Sequence, residues 1–258
     1  MTTLNPLFDL TNKVALVTGG SRGLGKEMAE GLAEAGAALM LVARRDEWLK
    51  PTVAEMQARG FRCEGVLADV AKPNDVQHVT KHTLHTYGQV DILLNNAGIS
   101  WGALAEDMPL DKWQTVLDTN LTAPFLFCQA VGREMIKRKF GRIINIASIA
   151  GLIATLPGVQ DTAGYNAAKG GLISLTRELA AKWAKHNIRV NAIAPGFFST
   201  RMADKVIEHA RGTIEAMTPM GRIGAAGELK GVAVFLASEA SNYITGQTIV
   251  VDGGASIV

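Results

Sequence analysis

Val14-Ala15-Leu16-Val17-Thr18-Gly19-Gly20-Ser21-Arg22-Gly23-Leu24-Gly25 is the stretch that decides the fold of this chain. Val14–Thr18 is a short uncharged run of the kind that forms a strand buried on both faces. Three glycines spaced G-x-x-x-G-x-G follow, and a helix-length segment, Gly25–Ala35, begins at the last of them. A strand–turn–helix of this kind leaves backbone N–H groups free at the helix N-terminus, where the helix dipole adds positive charge. Gly19 permits the tight turn, Gly23 lets backbone approach a pyrophosphate, and Gly25 lets the helix pack on the strand. A phosphate cradle that includes Ser21, Arg22 and Leu24 is the sharper reading. A glycine-rich turn with no ligand is the alternative that these residues alone leave open.

The same alternation continues along the chain. Leu39–Ala43, Cys63–Ala68, Ile92–Asn95, Ile143–Ala147, Val190–Ala194 and Thr248–Val251 read as six further strands, and Asp75–Tyr87, Asp111–Lys139, Tyr165–His186 and Ala226–Ser238 read as helices. Gly36 and Gly88 follow helical segments as C-terminal stops. Buried strands alternating with helices predict an α/β fold: a Rossmann-type, doubly wound parallel sheet of seven strands with right-handed crossovers. No linker or repeat divides residues 1–258, so one dinucleotide-binding domain is expected. Residues 197–220 are the least regular part. They follow the sixth strand, where ligands of open α/β sheets bind, and are a candidate substrate lid.

Composition narrows the functional classes. With 26 Lys and Arg against 24 Asp and Glu, the chain has no basic excess to suggest nucleic acid. Two cysteines, Cys63 and Cys128, are too few for a disulfide scaffold and fit a reducing compartment. Met1–Thr11 does not read as a signal peptide. The uncharged stretch Ile143–Gln160 carries Asn145, Ser148 and Pro157, and reads as a strand entering a loop rather than a membrane span. A cytoplasmic protein without a membrane or nucleic-acid partner is the expectation.

The second strand indicates which dinucleotide. An NAD site places a carboxylate there for the ribose 2′-hydroxyl. In this chain that position is Ala43, followed by Arg44 and Arg45, with Arg22 inside the glycine loop. Guanidinium groups suit a 2′-phosphate, so NADP(H) is favoured over NAD(H). Asp46 and Glu47, directly after the arginines, weigh against this, and the arginines also fit a solvated loop.

Tyr165 and Lys169 stand four residues apart on one helix face. A tyrosine needs help to act as an acid or base near neutral pH, and a nearby ammonium favours the phenolate. Ser148 ends the fifth strand, Asn95-Asn96-Ala97-Gly98 the fourth, Asp69 the third and Pro195-Gly196 the sixth. Asn120 sits inside a helical pattern, where asparagine is unfavourable without a structural role.

Together, T-G-x-x-x-G-x-G at Thr18–Gly25, Asp69, N-N-A-G at Asn95–Gly98, Asn120, Ser148, Y-x-x-x-K at Tyr165–Lys169 and P-G-x-x-x-T at Pro195–Thr200 resemble the short-chain dehydrogenase/reductase family over nearly the whole chain. Enoyl reductases of that family put six residues between the tyrosine and the lysine; this chain has three. The resemblance implies Tyr165 as general acid in reduction and base in oxidation. Lys169 would lower its pKa and bind the nicotinamide ribose, Ser148 would orient the substrate oxygen, and Asn120 would hold a water linking Lys169 to solvent. Asp69 and Val70 would meet the adenine. Asn96, Ala97 and Gly98 would line the central cofactor cleft, and Pro195, Gly196, Phe198 and Thr200 the nicotinamide side.

The expected activity is interconversion of a ketone and a secondary alcohol. The overall pattern resembles 3-oxoacyl reductases acting on thioesters. The segments Gly98–Gly102 and Ile193–Met202 resemble gluconate 5-dehydrogenases, and Leu156–Gly164 departs from ketoacyl-reductase loops. A non-catalytic dinucleotide sensor is the rival from another class, and it predicts loss of Ser148, Tyr165 or Lys169. Trp101 is either a wall of the substrate pocket or core. His78, His82 and His85 share a helix face but read as solvated, so no metal is expected. Arg133, Lys137, Arg138, Lys139 and Arg142 read as a basic helix end complementing the dipole, or as a dock for an acidic carrier protein. Long apolar helices and the family resemblance imply a homotetramer.

Overall fold

A computed structural model describes residues 5–155, 160–201 and 203–258. Strands β1 (Val14–Thr18), β2 (Ala38–Ala43), β3 (Cys63–Leu67), β4 (Ile92–Asn95), β5 (Gly141–Ile146), β6 (Ile188–Pro195) and β7 (Thr248–Val251) form one seven-stranded sheet in the order β3-β2-β1-β4-β5-β6-β7. Every pairing is parallel. The sheet order reverses between β1 and β4, so the ends of those strands flank the crevice where such folds bind ligands.

The helices are α1 (Gly23–Glu34), α2 (Asp46–Ala58), α3 (Pro73–Tyr87), α4 (Leu110–Leu117), α5 (Ala123–Arg138), α6 (Ala163–Trp183), α7 (Asp204–Met217) and α8 (Lys230–Ala237). Side chains alternate across the sheet as the pleat requires. Ala15, Val17, Leu39, Leu41, Ile92 and Leu94 join Met28, Leu32, Leu49 and Leu236 in one buried layer, against α1, α2 and α8. Leu16, Met40, Val42, Leu93 and Ile143 join Val76, Val79, Phe127 and Val131 in the other, against α3 and α5. Each such aliphatic side chain contributes roughly 1.5–3 kcal/mol by leaving water.

Four details differ from the sequence-based expectation. β3 is an edge strand with Glu64 and Leu67 exposed, so it is not buried on both faces. Asp46 and Glu47 open a helix not among those read from the sequence, and as first-turn acids they suit its N-terminus. The run Asp111–Lys139 is broken by a π-helical turn at Asp118–Thr122. The region 197–220 is largely helical: α7 buries Ile207, Ala210 and Ile214 in a small cluster of its own with Phe197, Val206 and Ile223. No helix among the described residues is long and apolar enough to cross a membrane.

Candidate active site

The carboxyl ends of the strands carry nearly all of the singled-out residues. At the end of β1, Gly19 adopts φ +66°, and its N–H donates to the Val42 carbonyl at 2.8 Å. A Cβ there would lie 2.8 Å from Asn96 Nδ2 and 2.9 Å from the Ala97 Cα, so only glycine fits. Gly25 is equally confined, by the Asn96 amide and the Gly19 carbonyl. Gly23 differs: a Cβ there would have the Thr200 methyl, at 3.9 Å, as its neighbour. It is the point of the loop where backbone can be approached from outside.

Thr18 and Asn96 lock this turn to β4. Thr18 Oγ1 accepts from the N–H groups of Asn96 at 3.0 Å and Ala97 at 3.1 Å, and Asn96 Nδ2 donates to the carbonyls of Thr18 and Gly19, both at 3.1 Å. The Asn96 side chain therefore braces the loop. Arg22 is extended at the N-cap of α1 and makes no side-chain cap, leaving the first N–H groups of α1 as donors. Ser21 is buried, its carbonyl held by Thr52 Oγ1 at 2.8 Å, and Leu24 packs partly on the core.

Ala43 is buried where β2 ends, and Arg44 and Arg45 are exposed just beyond it. Arg22 stacks over Trp48 at 5.3 Å. Partial burial pulls the Arg22 pKa down, and the positive charges of Arg201, Arg45 and Arg44 pull the same way, against Glu47. The structure thus brings the three expected arginines together and adds a fourth, Arg201, which the sequence reading missed. Asp69 lies just past β3, its N–H donating to Asp75 Oδ2 at 2.8 Å, and Val70 is buried beside it.

Ser148 follows β5 and caps a short 3-10 turn, accepting from the Ala150 N–H at 3.2 Å. That turn lies against α6 because Gly151 has no side chain: a Cβ there would fall 2.7 Å from the Lys169 carbonyl carbon. The close approach brings Ser148 to Tyr165, which is half-buried on α6. Burial raises the Tyr165 pKa, and its hydrogen bond with Ser148 opposes that shift. Lys169 is 4% exposed, lies 5.4 Å from the Tyr165 ring centre and donates to the Ile146 carbonyl at 2.6 Å. Burial pulls its pKa down to about 8.

Asn120 is fully buried in the π-helical turn. Its Oδ1 accepts from the Ile99 N–H at 2.9 Å, and its Nδ2 donates to the Ile99 carbonyl at 2.7 Å. A Cβ on Gly98 would lie 3.0 Å from Asn120 Oδ1 and 3.8 Å from Lys169 Nζ, so these three residues meet at one point. Behind them, Asn95 Nδ2 donates to Asn145 Oδ1 at 2.9 Å, and Asn145 Nδ2 to Thr176 Oγ1 at 2.9 Å. This buried polar chain fixes β4 and β5 against α6.

Not every singled-out residue joins the site. Trp101 is 44% exposed under Lys112, whose Nζ stands 5.0 Å from the ring centre, so it is not core. The Phe198 side chain is buried against Gly224, leaving only its backbone for the cleft. Gly196, after Pro195 ends β6, makes room for Asp252, whose Cβ would lie 2.7 Å from an added side chain. Residues 156–159 of the Leu156–Gly164 stretch, and Met202, lie outside the described residues. His78, His82 and His85 are exposed on the outer face of α3. The basic cluster is partly paired: Arg142 is buried against Asn242 and Phe140, Arg138 pairs with buried Asp91 at 2.8 Å, and Lys137 pairs with Glu134 at 2.7 Å. Arg133, Lys137, Arg138 and Lys139 stay exposed, and Arg142 alone leaves the cluster for the interior.

A family model described as enoyl-(acyl carrier protein) reductase, from the short-chain dehydrogenase group, matches residues 19–256. The chain belongs to the short-chain dehydrogenase/reductase family. It is an oxidoreductase of that family, as its relatives are. A gluconate 5-dehydrogenase of Gluconobacter oxydans is 38% identical over 253 residues, 97% of each chain. A 3-oxoacyl-[acyl-carrier-protein] reductase of Synechocystis is 42% identical over 247 residues, 95% of this chain and 97% of the relative. The solved structure of a gluconate 5-dehydrogenase from Burkholderia cenocepacia, in complex with NADP and tartrate, superimposes with a TM-score of 0.93 at 37% identity, covering 98% of each chain.

Proposed function

We propose that this short-chain dehydrogenase/reductase is an NADP(H)-dependent carbonyl reductase that converts a 3-oxoacyl thioester to the secondary alcohol. The residues fit a phosphorylated dinucleotide. Gly23 opens the turn to an incoming pyrophosphate, the N-terminus of α1 offers uncapped N–H donors, and Arg22, Arg44 and Arg45 surround the position where Ala43 replaces a carboxylate. NADP bound to a relative of the same fold supports this choice. Gly19, Ser21, Leu24, Gly25, Asp69, Val70, Asn96, Ala97, Gly98, Pro195, Gly196, Phe198 and Thr200 would complete the cofactor cleft.

When bound, the nicotinamide supplies a hydride to the carbonyl carbon. Tyr165 holds the proton for the carbonyl oxygen. Burial raises its pKa, the opposite of the lowering that the resemblance ascribes to Lys169, so the hydroxyl holds its proton until the carbonyl oxygen takes it. The Ser148 side chain, which lowers the Tyr165 pKa against the effect of burial, is placed to hold the same oxygen. The Lys169 ammonium, fixed by the Ile146 carbonyl, offers positive charge as the phenolate forms. Asn120 holds the Gly98–Ser100 loop beside Lys169 by its paired bonds to Ile99. All three residues that a non-catalytic sensor would be expected to lose are present.

One observation carries the choice of substrate. Residues 98–104 and 148–155 contain no charged residue, Asp161 is the one acid between residue 155 and Tyr165, and Trp101 and Leu104 are exposed there. An acyl chain suits such a rim better than a polyhydroxy acid does. Lys112 over Trp101 favours a second reading, a sugar-acid dehydrogenase, because it puts a cation at the mouth. Absorbance at 340 nm with acetoacetyl thioesters, keto-sugar acids and simple ketones separates the two. Faster NADPH oxidation with the thioesters is expected, and a clear preference for keto-sugar acids would reverse the assignment. A homotetramer is proposed from exposed apolar residues on and beside α5 and β7, namely Phe125, Tyr243 and Val250, to be tested by light scattering.

A further inference from the structure

Arg22, Arg44, Arg45 and Arg201 bring four guanidinium groups to one rim of the site, although only the first three lie at the ends of β1 and β2. Arg201 arrives from elsewhere, the turn that leads from β6 into α7. Thr200 anchors that turn: its carbonyl accepts from the N–H groups of Ala203 and Asp204, both at 2.8 Å, and its hydroxyl accepts from the Ala203 N–H at 3.3 Å. The Thr200 methyl stands over Gly23, 3.9 Å from where a Cβ would be. The next residue, Arg201, is therefore carried to the rim of the phosphate turn, exposed and beside Arg22.

Four cations at close quarters repel one another unless an anion joins them. The carboxylate acting on Arg22 is Glu47, and it is already paired with Arg45 at 3.3 Å. Asp46 is paired with Lys50. The cluster thus has an excess of positive charge, formed by guanidiniums suited to phosphate oxygens. We infer that Arg201 is a phosphate-binding residue of the α7 flap, reaching across the glycine turn to a phosphate of the bound dinucleotide and tying the flap to the cofactor. This rests on the cofactor reading above and adds to it a phosphate ligand from the turn after Thr200. Both the pyrophosphate and the 2′-phosphate offer the required chemistry.

Calorimetric titration of NADPH and NADH into wild type, Arg201→Ala and Arg201→Lys tests the assignment at low and at moderate salt. Arg201→Ala is expected to weaken NADPH binding at least 10-fold, with Arg201→Lys between it and wild type, and with the cofactor-free melting temperature unchanged. A loss confined to NADPH assigns Arg201 to the 2′-phosphate, and a similar loss for NADH assigns it to the pyrophosphate. Both outcomes support the inference. If wild type binds NADPH and Arg201→Ala binds it equally well, the inference is overturned while the cofactor reading stands. A rise only in the KM of an acidic substrate overturns it equally, by assigning Arg201 to the substrate. If wild type fails to bind NADPH, both fall.

Discussion

Burying the Lys169 ammonium makes the stability of this protein depend on pH in a direction that can be worked out. Its pKa falls from 10.5 to about 8 on folding, because burial penalises the charge. At about 1.4 kcal/mol per unit, the folded state is destabilised by about 3 kcal/mol wherever both states carry the proton, that is, below pH 8. Between pH 8 and 10.5 the folded chain has lost that proton while the unfolded chain still binds it, so stability rises with pH. Above 10.5 the penalty is gone. Lys169→Met removes the titrating group and leaves the Ile146 carbonyl without its donor, a loss that does not depend on pH. Guanidinium unfolding of wild type and Lys169→Met at pH 7 and pH 10 isolates the effect, because other titrating groups cancel in the double difference. Wild type is expected to gain about 2–3 kcal/mol on the variant between the two pH values. A double difference well under about 1 kcal/mol would refute the view that Lys169 is charged and desolvated at neutral pH.

Arg44→Ala should weaken NADPH binding about 10- to 100-fold by removing a charge-assisted contact and leave NADH within about 3-fold, as read by fluorescence titration. Asn120→Ala strips partners from the Ile99 N–H and carbonyl; a loss of roughly 2–4 kcal/mol in chemical denaturation is expected. Gly25→Ala drives a methyl into the Asn96 amide and the Gly19 carbonyl; the phosphate turn must shift, so calorimetry should show NADPH affinity falling even in the fraction that folds.

All seven strands were legible because each carries an apolar run bounded by glycine, asparagine or helix starts, with charge only at Glu64 of edge strand β3 and at Arg142 and Arg189 near the starts of β5 and β6. Tyr165, Lys169 and Ser148 were legible because their spacing and their positions at strand ends are local properties. What the sequence hid depends on long-range contact. The helix Asp46–Ala58 has weak amphipathic character and carries Pro51 within it, so it was not among the helices read from the sequence. The π-helical turn at Asp118–Thr122 has no local signature, since it is stabilised by Asn120 reaching Ile99 on another segment. Arg138 and Arg142 looked free until Asp91 and Asn242, distant in sequence, arrived beside them. The Gly151 approach to α6 and the position of Arg201 beside Arg22 are likewise products of the folded chain.

The central claim is that Tyr165 delivers the proton and that cofactor binding does not depend on its hydroxyl. Tyr165→Phe keeps the ring and removes only that hydroxyl. With an acetoacetyl thioester and NADPH, the 340 nm assay should show turnover falling by at least about 100-fold, the low end expected for losing a general acid, while NADPH affinity stays within a few-fold of wild type. Turnover that survives in Tyr165→Phe would contradict the assignment.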